Sequence, residues 1–187
     1  MNAEPPLEAP PVATRRERSL VVVHTGDGKG KTTAAMGIAM RAAGHDQHVA
    51  VIQFVKSGRW RSGERLAAER LGIRWSVVGD GFTWDSDDLE RAAEIARAAW
   101  DEAAATIEAG EHDVVILDEI TYPMMWGWIA TDDVAAAIRS RPERVSIVIT
   151  GRDAPSDIVE LADTVTDHAS VKHAFDDGVR AKRGIDF

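Results

Sequence analysis

The chain has 187 residues, and its hydrophobic fraction of 44% is typical of a globular protein with a buried core. It contains 22 Lys and Arg against 31 Asp and Glu, and this formal net charge of −9 argues against broad nucleic-acid binding, which needs a basic surface. The chain has no cysteine, which excludes disulfides, thiolate metal sites and cysteine nucleophiles and favours a reducing, cytoplasmic setting. No apolar stretch approaches the roughly 18 residues of a membrane helix, so we expect no membrane association.

The N-terminal residues 1–18 differ in composition from the rest of the chain. They contain four of the seven prolines, and we predict that they form a disordered or flexible leader. Arg15, Arg16 and Arg18 follow the prolines, and two interpretations are open for them: a solvated basic patch, or a flap that reaches a bound phosphate. Residues 19–187 are predicted to form a single domain.

Apolar runs bounded by turn residues predict the strands, and helical spacing of apolar residues predicts the helices between them. The predicted strands are 20–23, 49–55, 73–78, 114–117, 145–150 and 163–167. The predicted helices are 31–43, which Gly44 ends, then 62–71, 86–109, which Gly110 ends, 122–128, 131–140 and 155–162. One face of the long helix 86–109 carries the apolar residues Leu89, Ala93, Ala96, Trp100, Ala103 and Ile107. This alternation predicts an α/β fold with a mainly parallel sheet and helices on both faces.

The stretch between the first strand and the first helix reads TGDGKGKTT over residues 25–33. Its three glycines let the backbone aim N–H groups at one point, to which the positive end of the helix dipole adds. Lys31 supplies a mobile positive charge, and the Thr32 hydroxyl is a suitable ligand for Mg²⁺. Thr25 stands where the pattern GxxxxGKS/T has glycine. The stretch predicts a phosphate-binding loop in a P-loop NTPase-like (RecA-like) fold, and the alternative is an ordinary glycine-rich turn.

Polar residues at other predicted strand ends are expected to converge on this loop, because ligands of parallel α/β sheets bind at that edge. The segment VVILDE places Asp118 and Glu119 after a buried strand, as in a Walker B segment, and predicts a Mg²⁺ site with Thr32. The sequence leaves open which of the two carboxylates contacts the ion. The residues predicted to bind the nucleotide are Thr25, Gly26, Asp27, Gly28, Lys29, Gly30, Lys31, Thr32, Thr33 and Arg152.

Two aromatic groups have two interpretations each. Phe82 and Trp84 lie in a loop rich in Gly and Asp, where they either fold back into the core or offer an apolar surface to a flat ligand. For the second group core packing is favoured over a ligand surface, and its members are Met124, Met125, Trp126 and Trp128.

Two histidines are candidate general bases or metal ligands. Nothing surrounds His24 or His173 with the spacing of a metal site, so ordinary packing or hydrogen bonding is favoured for both. Lys172 and the basic residues of 180–183 are interpreted as surface charge.

Several segments, taken in this order, carry a resemblance to a known family. They are TGDGKGKTTAA at 25–35, VIQFVKSG at 51–58, GFTW at 81–84, VVILDEITY at 114–122, VITGR at 148–152, ADTVTD at 162–167 and VKHAFDDGVRAKRGIDF at 171–187. The chain resembles the ATP:corrinoid adenosyltransferases of the P-loop type, which convert cobalamin and its precursors to their adenosyl forms. Thr25 also agrees with that family, whereas the family usually has Asn where this chain has Asp27.

The resemblance implies nucleophilic substitution at carbon. A Co(I) corrinoid attacks C5′ of ATP, which the family is thought to bind in the reversed direction, and triphosphate leaves. Lys31 and Mg²⁺, or Mn²⁺ in its place, would stabilise the leaving group. Phe82 and Trp84 would cover the lower face of the corrinoid and displace its axial ligand. The resemblance also implies a homodimer and a flavoprotein reductant.

Two competing functions remain open on the sequence. A P-loop ATPase or phosphoryl-transfer enzyme would release ADP and phosphate instead of triphosphate. A nucleotide-regulated binding module would bind ATP without turnover, and it leaves GFTW and the C-terminal segments unexplained.

Overall fold

The computed structural model describes residues 18–55, 62–77 and 89–186. Phe82 and Trp84, nearly all of the predicted leader and residues 86–88 of the predicted long helix lie outside these described residues. The strands that the structure describes are Val21–Thr25 (β1), Val49–Gln53 (β2), Arg74–Val77 (β3), Val114–Asp118 (β4), Ser146–Thr150 (β5) and Thr164–Asp167 (β6). The helices are Lys31–Ala43 (α1), Gly63–Arg70 (α2), Leu89–Ala109 (α3), Thr121–Met125 (α4), Thr131–Ser140 (α5) and Ser156–Leu161 (α6), with a 3₁₀ helix at Ala174–Asp177.

The strands form one six-stranded sheet in the order β3-β2-β4-β5-β1-β6, and every neighbouring pair is parallel. Every residue of β2 and of β4 is buried, as expected for parallel strands covered on both faces. β1 lies between β5 and β6, where Val22 is paired with both Val148 and Thr164. The predicted parallel α/β fold is confirmed.

Successive side chains of a strand point to opposite sides of the sheet, so these apolar strands present an apolar surface on both faces. Helices cover both of these faces. On one face, Ala35 of α1 and Ala68 of α2 pack with Val51 and Ile116. The opposite face carries the larger cluster, formed with α3, α5 and α6, which includes Ile52, Leu117, Trp100, Ile107, Ile138 and Ile158. Each fully buried Leu or Ile contributes about 1.5–3 kcal/mol to the free energy of unfolding, so these clusters hold the strand ends in fixed positions.

Two predicted elements end earlier than the sequence indicated. β2 ends at Gln53, and after the bond from Phe54 N to Asp118 O (3.0 Å) the chain bends away from the sheet. α4 ends at Met125 instead of residue 128, because Gly127 takes a φ of 69° that is incompatible with a helix.

The two glycines that are expected to end helices have different backbone conformations. Gly110 has a φ of 65° and ends α3 in the left-handed conformation. Gly44 ends α1 as predicted, but its φ is −67°, and Asp46 takes the left-handed conformation there with a φ of 57°.

The predicted apolar face of α3 is correct except at its first member. Leu89 is 62% exposed, whereas the other predicted positions are buried, namely Ala93, Ala96, Trp100, Ala103 and Ile107. Leu89 lies at the first position of the described helix, and the buried face begins one turn later. No helix among the described residues is long and apolar enough to cross a membrane.

Candidate active site

The glycine loop joins the C-terminal end of β1, an interior strand next to the edge strand β6, to the first residue of α1. Gly26 has a φ of 91° and Gly30 a φ of 114°, conformations that side chains with a Cβ rarely adopt. A Cβ on Gly26 would overlap the Asp167 carboxylate, and one on Gly28 would lie 2.5 Å from the His168 carbonyl oxygen. These glycines therefore let the loop lie directly against the segment that follows β6.

Lys31 is nearly buried at the centre of the loop, with 8% of its surface exposed. Its Nζ donates hydrogen bonds to Gly26 O at 2.6 Å and Gly28 O at 2.8 Å. Burial lowers the pKa of Lys31, while the nearby Glu119 carboxylate opposes that shift. The ammonium group is thus held at the loop by two carbonyl acceptors that phosphate oxygens could replace.

The loop lines a cavity of about 260 Å³. The predicted residues on its wall are Asp27, Gly28, Lys29, Gly30, Lys31, Thr32, Thr33, Glu119 and Arg152. Thr25 and Gly26 lie next to it in the chain but do not line it. The wall also contains residues that the sequence did not single out for this site, namely Glu64, Tyr122, His173 and Asp186.

Asp118 and Glu119 have different environments. Asp118 is fully buried, and its two carboxylate oxygens accept hydrogen bonds from Gln53 Nε2 (2.6 Å) and Thr150 Oγ1 (2.7 Å). The same Thr150 hydroxyl accepts a hydrogen bond from the backbone N–H of Glu119 at 2.9 Å. Glu119 has a φ of 64°, which typically costs about 1–3 kcal/mol for a residue other than glycine. The ends of β2, β4 and β5 thereby hold this conformation and place Glu119 on the cavity wall.

Cationic side chains on the cavity wall have acidic partners. Arg152 Nε lies 3.7 Å from Asp27 Oδ1, and Lys29 Nζ lies 2.6 Å from Asp186 Oδ1. All four side chains are partly exposed, so each ion pair contributes little to stability. A bound polyphosphate can therefore compete for both cations, and Arg152 compensates the charge of Asp27.

His24 lies beneath the loop and is paired with another histidine. Its Nδ1 is 3.3 Å from His168 Nε2, and the two rings meet edge to face. Burial lowers the pKa of His24, and the neighbouring His168 lowers it further. No group of three His, Asp or Glu side chains in the described part of the chain could hold a metal ion by itself. The contact with His168 gives His24 a hydrogen-bonding and packing partner, the kind of environment that the sequence favours for it.

The second aromatic group packs largely as expected. Met124 is buried, and the rings of Trp126 and Trp128 lie 4.6 Å apart against the larger core cluster. Met125 is 47% exposed, so the expectation of core packing is wrong for that residue. Phe82 and Trp84 are outside the described residues, and their two interpretations are unchanged.

A glycine loop between a parallel strand and a helix, with an acidic residue beside it, is the arrangement of a P-loop NTPase-like α/β fold. The sequence model of the family described as ATP:corrinoid adenosyltransferase BtuR/CobO/CobP matches residues 17–187. The chain belongs to this family, as its sequence motifs predicted.

Curated relatives agree with this assignment. The chain is 44% identical to the corrinoid adenosyltransferase of Escherichia coli (strain K12) over 171 residues, which is 91% of this chain and 87% of that protein. It is 41% identical to the corrinoid adenosyltransferase CobA of Salmonella typhimurium over 181 residues, 97% of this chain and 92% of the relative. It is 40% identical to the corrinoid adenosyltransferase of Pseudomonas aeruginosa over 175 residues, 92% of this chain and 86% of the relative.

Proposed function

We propose that this enzyme transfers the 5′-deoxyadenosyl group of ATP to the Co(I) of a corrinoid, either cobalamin or a precursor. An electron pair on cobalt forms the bond to C5′. The bond between C5′ and its oxygen breaks, and its electrons leave with triphosphate. The family match over residues 17–187 supports ATP and a corrinoid as the substrates.

The observation that carries the proposal is the shape and charge of the loop cavity on a chain of this family. A cavity of about 260 Å³ is smaller than a typical site for a whole drug-sized ligand and suits a triphosphate group. Lys31, Lys29 and Arg152 bring positive charge to its wall, beside the N–H groups of the loop. Negative charge develops on the leaving oxygen in the transition state, so donors fixed at this place would accelerate the displacement.

The reaction needs no protein nucleophile, because cobalt supplies the electron pair. The hydroxyl groups on the described cavity wall belong to Thr32, Thr33 and Tyr122. Burial, with the nearby Glu119 carboxylate, raises the pKa of Tyr122 and keeps its phenol protonated. These groups can therefore donate hydrogen bonds to the phosphates or ligate a metal ion, without forming a covalent bond to the substrate.

The cavity wall also fits a Mg²⁺ ion. The Thr32 hydroxyl and the Glu119 carboxylate are oxygen donors on one cavity, and Mg²⁺ is commonly held by one or two protein groups together with phosphate oxygens. Bound there, Mg²⁺ or Mn²⁺ would neutralise charge on the triphosphate. We propose Thr32 and Glu119 as the ligands and assign Asp118 an indirect role, because both of its oxygens accept hydrogen bonds from protein groups.

The test is to supply Co(I) cobalamin, ATP and Mg²⁺ under anaerobic conditions and to identify both products. Adenosylcobalamin and triphosphate are expected in equal amounts. ADP and phosphate would indicate phosphoryl transfer instead, and binding of ATP without any product would indicate a binding module.

We also propose the remaining features that the family resemblance implies. The exposed side chains of Val165, Phe175 and Ile185 at the β6 edge and in the C-terminal segment support a contact surface for a homodimer, which sedimentation would test. The absence of cysteine favours a cytoplasmic location. A flavoprotein reductant, and a single domain over residues 19–187, remain proposals from the sequence.

A further inference from the structure

Residues 168–186, which we call the C-terminal strap, cross the glycine loop after β6. Gly28 N donates a hydrogen bond to His168 O at the start of the strap, and Lys29 forms an ion pair with Asp186 at its end. Between these two contacts, His173 lies on the wall of the phosphate cavity and is only partly exposed. The strap therefore contributes His173 and Asp186 to the wall of the site that also carries Glu119.

The hydrogen bonding of His173 fixes which ring nitrogen carries its proton. The backbone N–H of Phe175 donates to His173 Nδ1 at 3.1 Å, and His173 thereby caps the 3₁₀ helix Ala174–Asp177. A nitrogen that accepts a hydrogen bond carries no proton, so the neutral ring has its proton on Nε2. The Nε2–H group is then the donor that His173 can offer to a ligand in the cavity.

We propose that His173 binds the triphosphate by donating a hydrogen bond from Nε2–H to a phosphate oxygen. This inference rests on the proposed function and adds a ligand from outside the glycine loop. The cavity wall carries the acidic residues Asp27, Glu64, Glu119 and Asp186, so an anion needs donors other than the three cations already described. The imidazole N–H of His173 is such a donor, and it comes from the strap instead of the glycine loop.

A purely structural role makes the opposite prediction for two matched variants. His173→Asn keeps an acceptor for Phe175 N–H, and Asn is a good capping residue, but its short side chain cannot replace Nε2. His173→Gln carries an amide N–H near the position of Nε2, but Gln is a poor N-cap residue for the 3₁₀ helix. A donor role predicts a loss in the Asn variant and retention in the Gln variant, whereas a capping role predicts the reverse.

The probe is inorganic tripolyphosphate with Mg²⁺, and its affinity for the full chain is measured by calorimetry. We expect His173→Asn to weaken binding by roughly three- to tenfold, the effect of one hydrogen bond, at an unchanged melting temperature. His173→Gln should retain most of the affinity. Lys172→Ala is the control, because this neighbouring cation is 83% exposed and pairs with Asp177, away from the cavity wall.

Two further outcomes separate this inference from the proposed function. Unchanged affinity in His173→Asn, with a parent protein that forms adenosylcobalamin and triphosphate, would overturn the role of His173 alone. A parent protein that converts ATP to ADP would overturn the proposed function and, with it, the assignment of His173 to a leaving triphosphate.

Discussion

The Asp118 carboxylate at the end of β4 accepts a buried hydrogen bond of 2.7 Å from the Thr150 hydroxyl at the end of β5. The same hydroxyl accepts a hydrogen bond from the backbone N–H of Glu119, so one threonine connects the two acidic residues. This arrangement distinguishes two residues that are adjacent in sequence. Asp118 holds the strand ends together, and Glu119 is turned towards the phosphate cavity.

The first prediction concerns these two carboxylates. Glu119→Gln should raise the Mg²⁺ concentration needed for half-maximal activity, because a hard cation loses a charged oxygen ligand. Asp118→Asn should instead lower the free energy of unfolding by roughly 1–3 kcal/mol, since an amide N–H₂ group would face one of two donors. Activity titrations with Mg²⁺ and urea unfolding measure the two effects.

Thr150→Val serves as the control, because it removes the hydroxyl and leaves the Asp118 charge in place. It should lower stability to a similar extent as Asp118→Asn. If Asp118→Asn shifts the Mg²⁺ requirement and Glu119→Gln does not, the roles proposed for the two carboxylates are reversed.

The second prediction concerns Lys31, whose Nζ now donates to two loop carbonyl oxygens. Lys31→Ala should reduce turnover by at least about 10²-fold, or about 3 kcal/mol of transition-state stabilisation, because it removes a buried donor from the leaving group. Lys29→Ala should cost less, since that side chain is 45% exposed and paired with Asp186. Steady-state rates with preformed Co(I) cobalamin provide the comparison, and a near-normal rate in Lys31→Ala would contradict a role of the loop in the displacement.

The third prediction concerns Phe82 and Trp84, which lie outside the described residues. If their rings displace the lower axial ligand of the corrinoid, alanine variants should keep nearly normal ATP affinity. They should slow adenosylation most when the corrinoid starts as Co(II) and must be reduced on the enzyme. The defect should shrink with preformed Co(I), which holds a lower ligand only weakly.

Spectroscopy of the Co(II) corrinoid complex with ATP tests this directly. A four-coordinate species should be present in the parent protein and much reduced in both variants. Equal losses of ATP binding and corrinoid binding would show instead that the two rings support the core.

The fourth prediction is a pH dependence of stability through His24. Burial lowers the pKa of His24 below its usual 6.5 in the folded chain, so below that pH the unfolded chain binds more protons. The stability that the folded chain has with a neutral His24 is therefore fully present above pH 6.5. It is lost as the pH falls towards the lowered pKa of His24 in the folded chain. His24→Gln should unfold with a smaller change in free energy between neutral and acidic pH than the parent protein.

His45→Gln provides the matched control, because His45 lies on the exposed turn after α1. Its stability should follow that of the parent protein at both pH values. An identical pH dependence in His24→Gln and the parent would show that His24 does not carry this linkage.

The features predicted correctly from the sequence depend on local patterns. The glycine loop, the buried strand before Asp118 and the helix that begins at Lys31 each follow from a short run of residues. The choice between Asp118 and Glu119 could not be predicted, because it depends on a positive φ that β5 stabilises through Thr150. Local patterns also cannot show which of the strands that follow β4 in the chain pairs with it in the sheet.

The strap residues His173 and Asp186 could not be placed in the site for a related reason. Neither lies at a strand end or in a phosphate-binding pattern, and their position depends on the chain returning across the loop after β6. The exposure of Leu89 is a smaller example, since helical spacing identifies an apolar face but not the point at which neighbouring elements stop covering it.

The position of β1 between β5 and β6 also has a consequence for how the protein folds. β1 is the first strand that the structure describes and an interior strand of the sheet, and its neighbours are made from residues 146–150 and 164–167. Closing loops of that length carries an entropic cost before the contacts form, so folding is expected to be slow for a domain of this size. Until those strands are made, the apolar segment 21–23 has unpaired edges, and the nascent chain is most prone to aggregation in this interval.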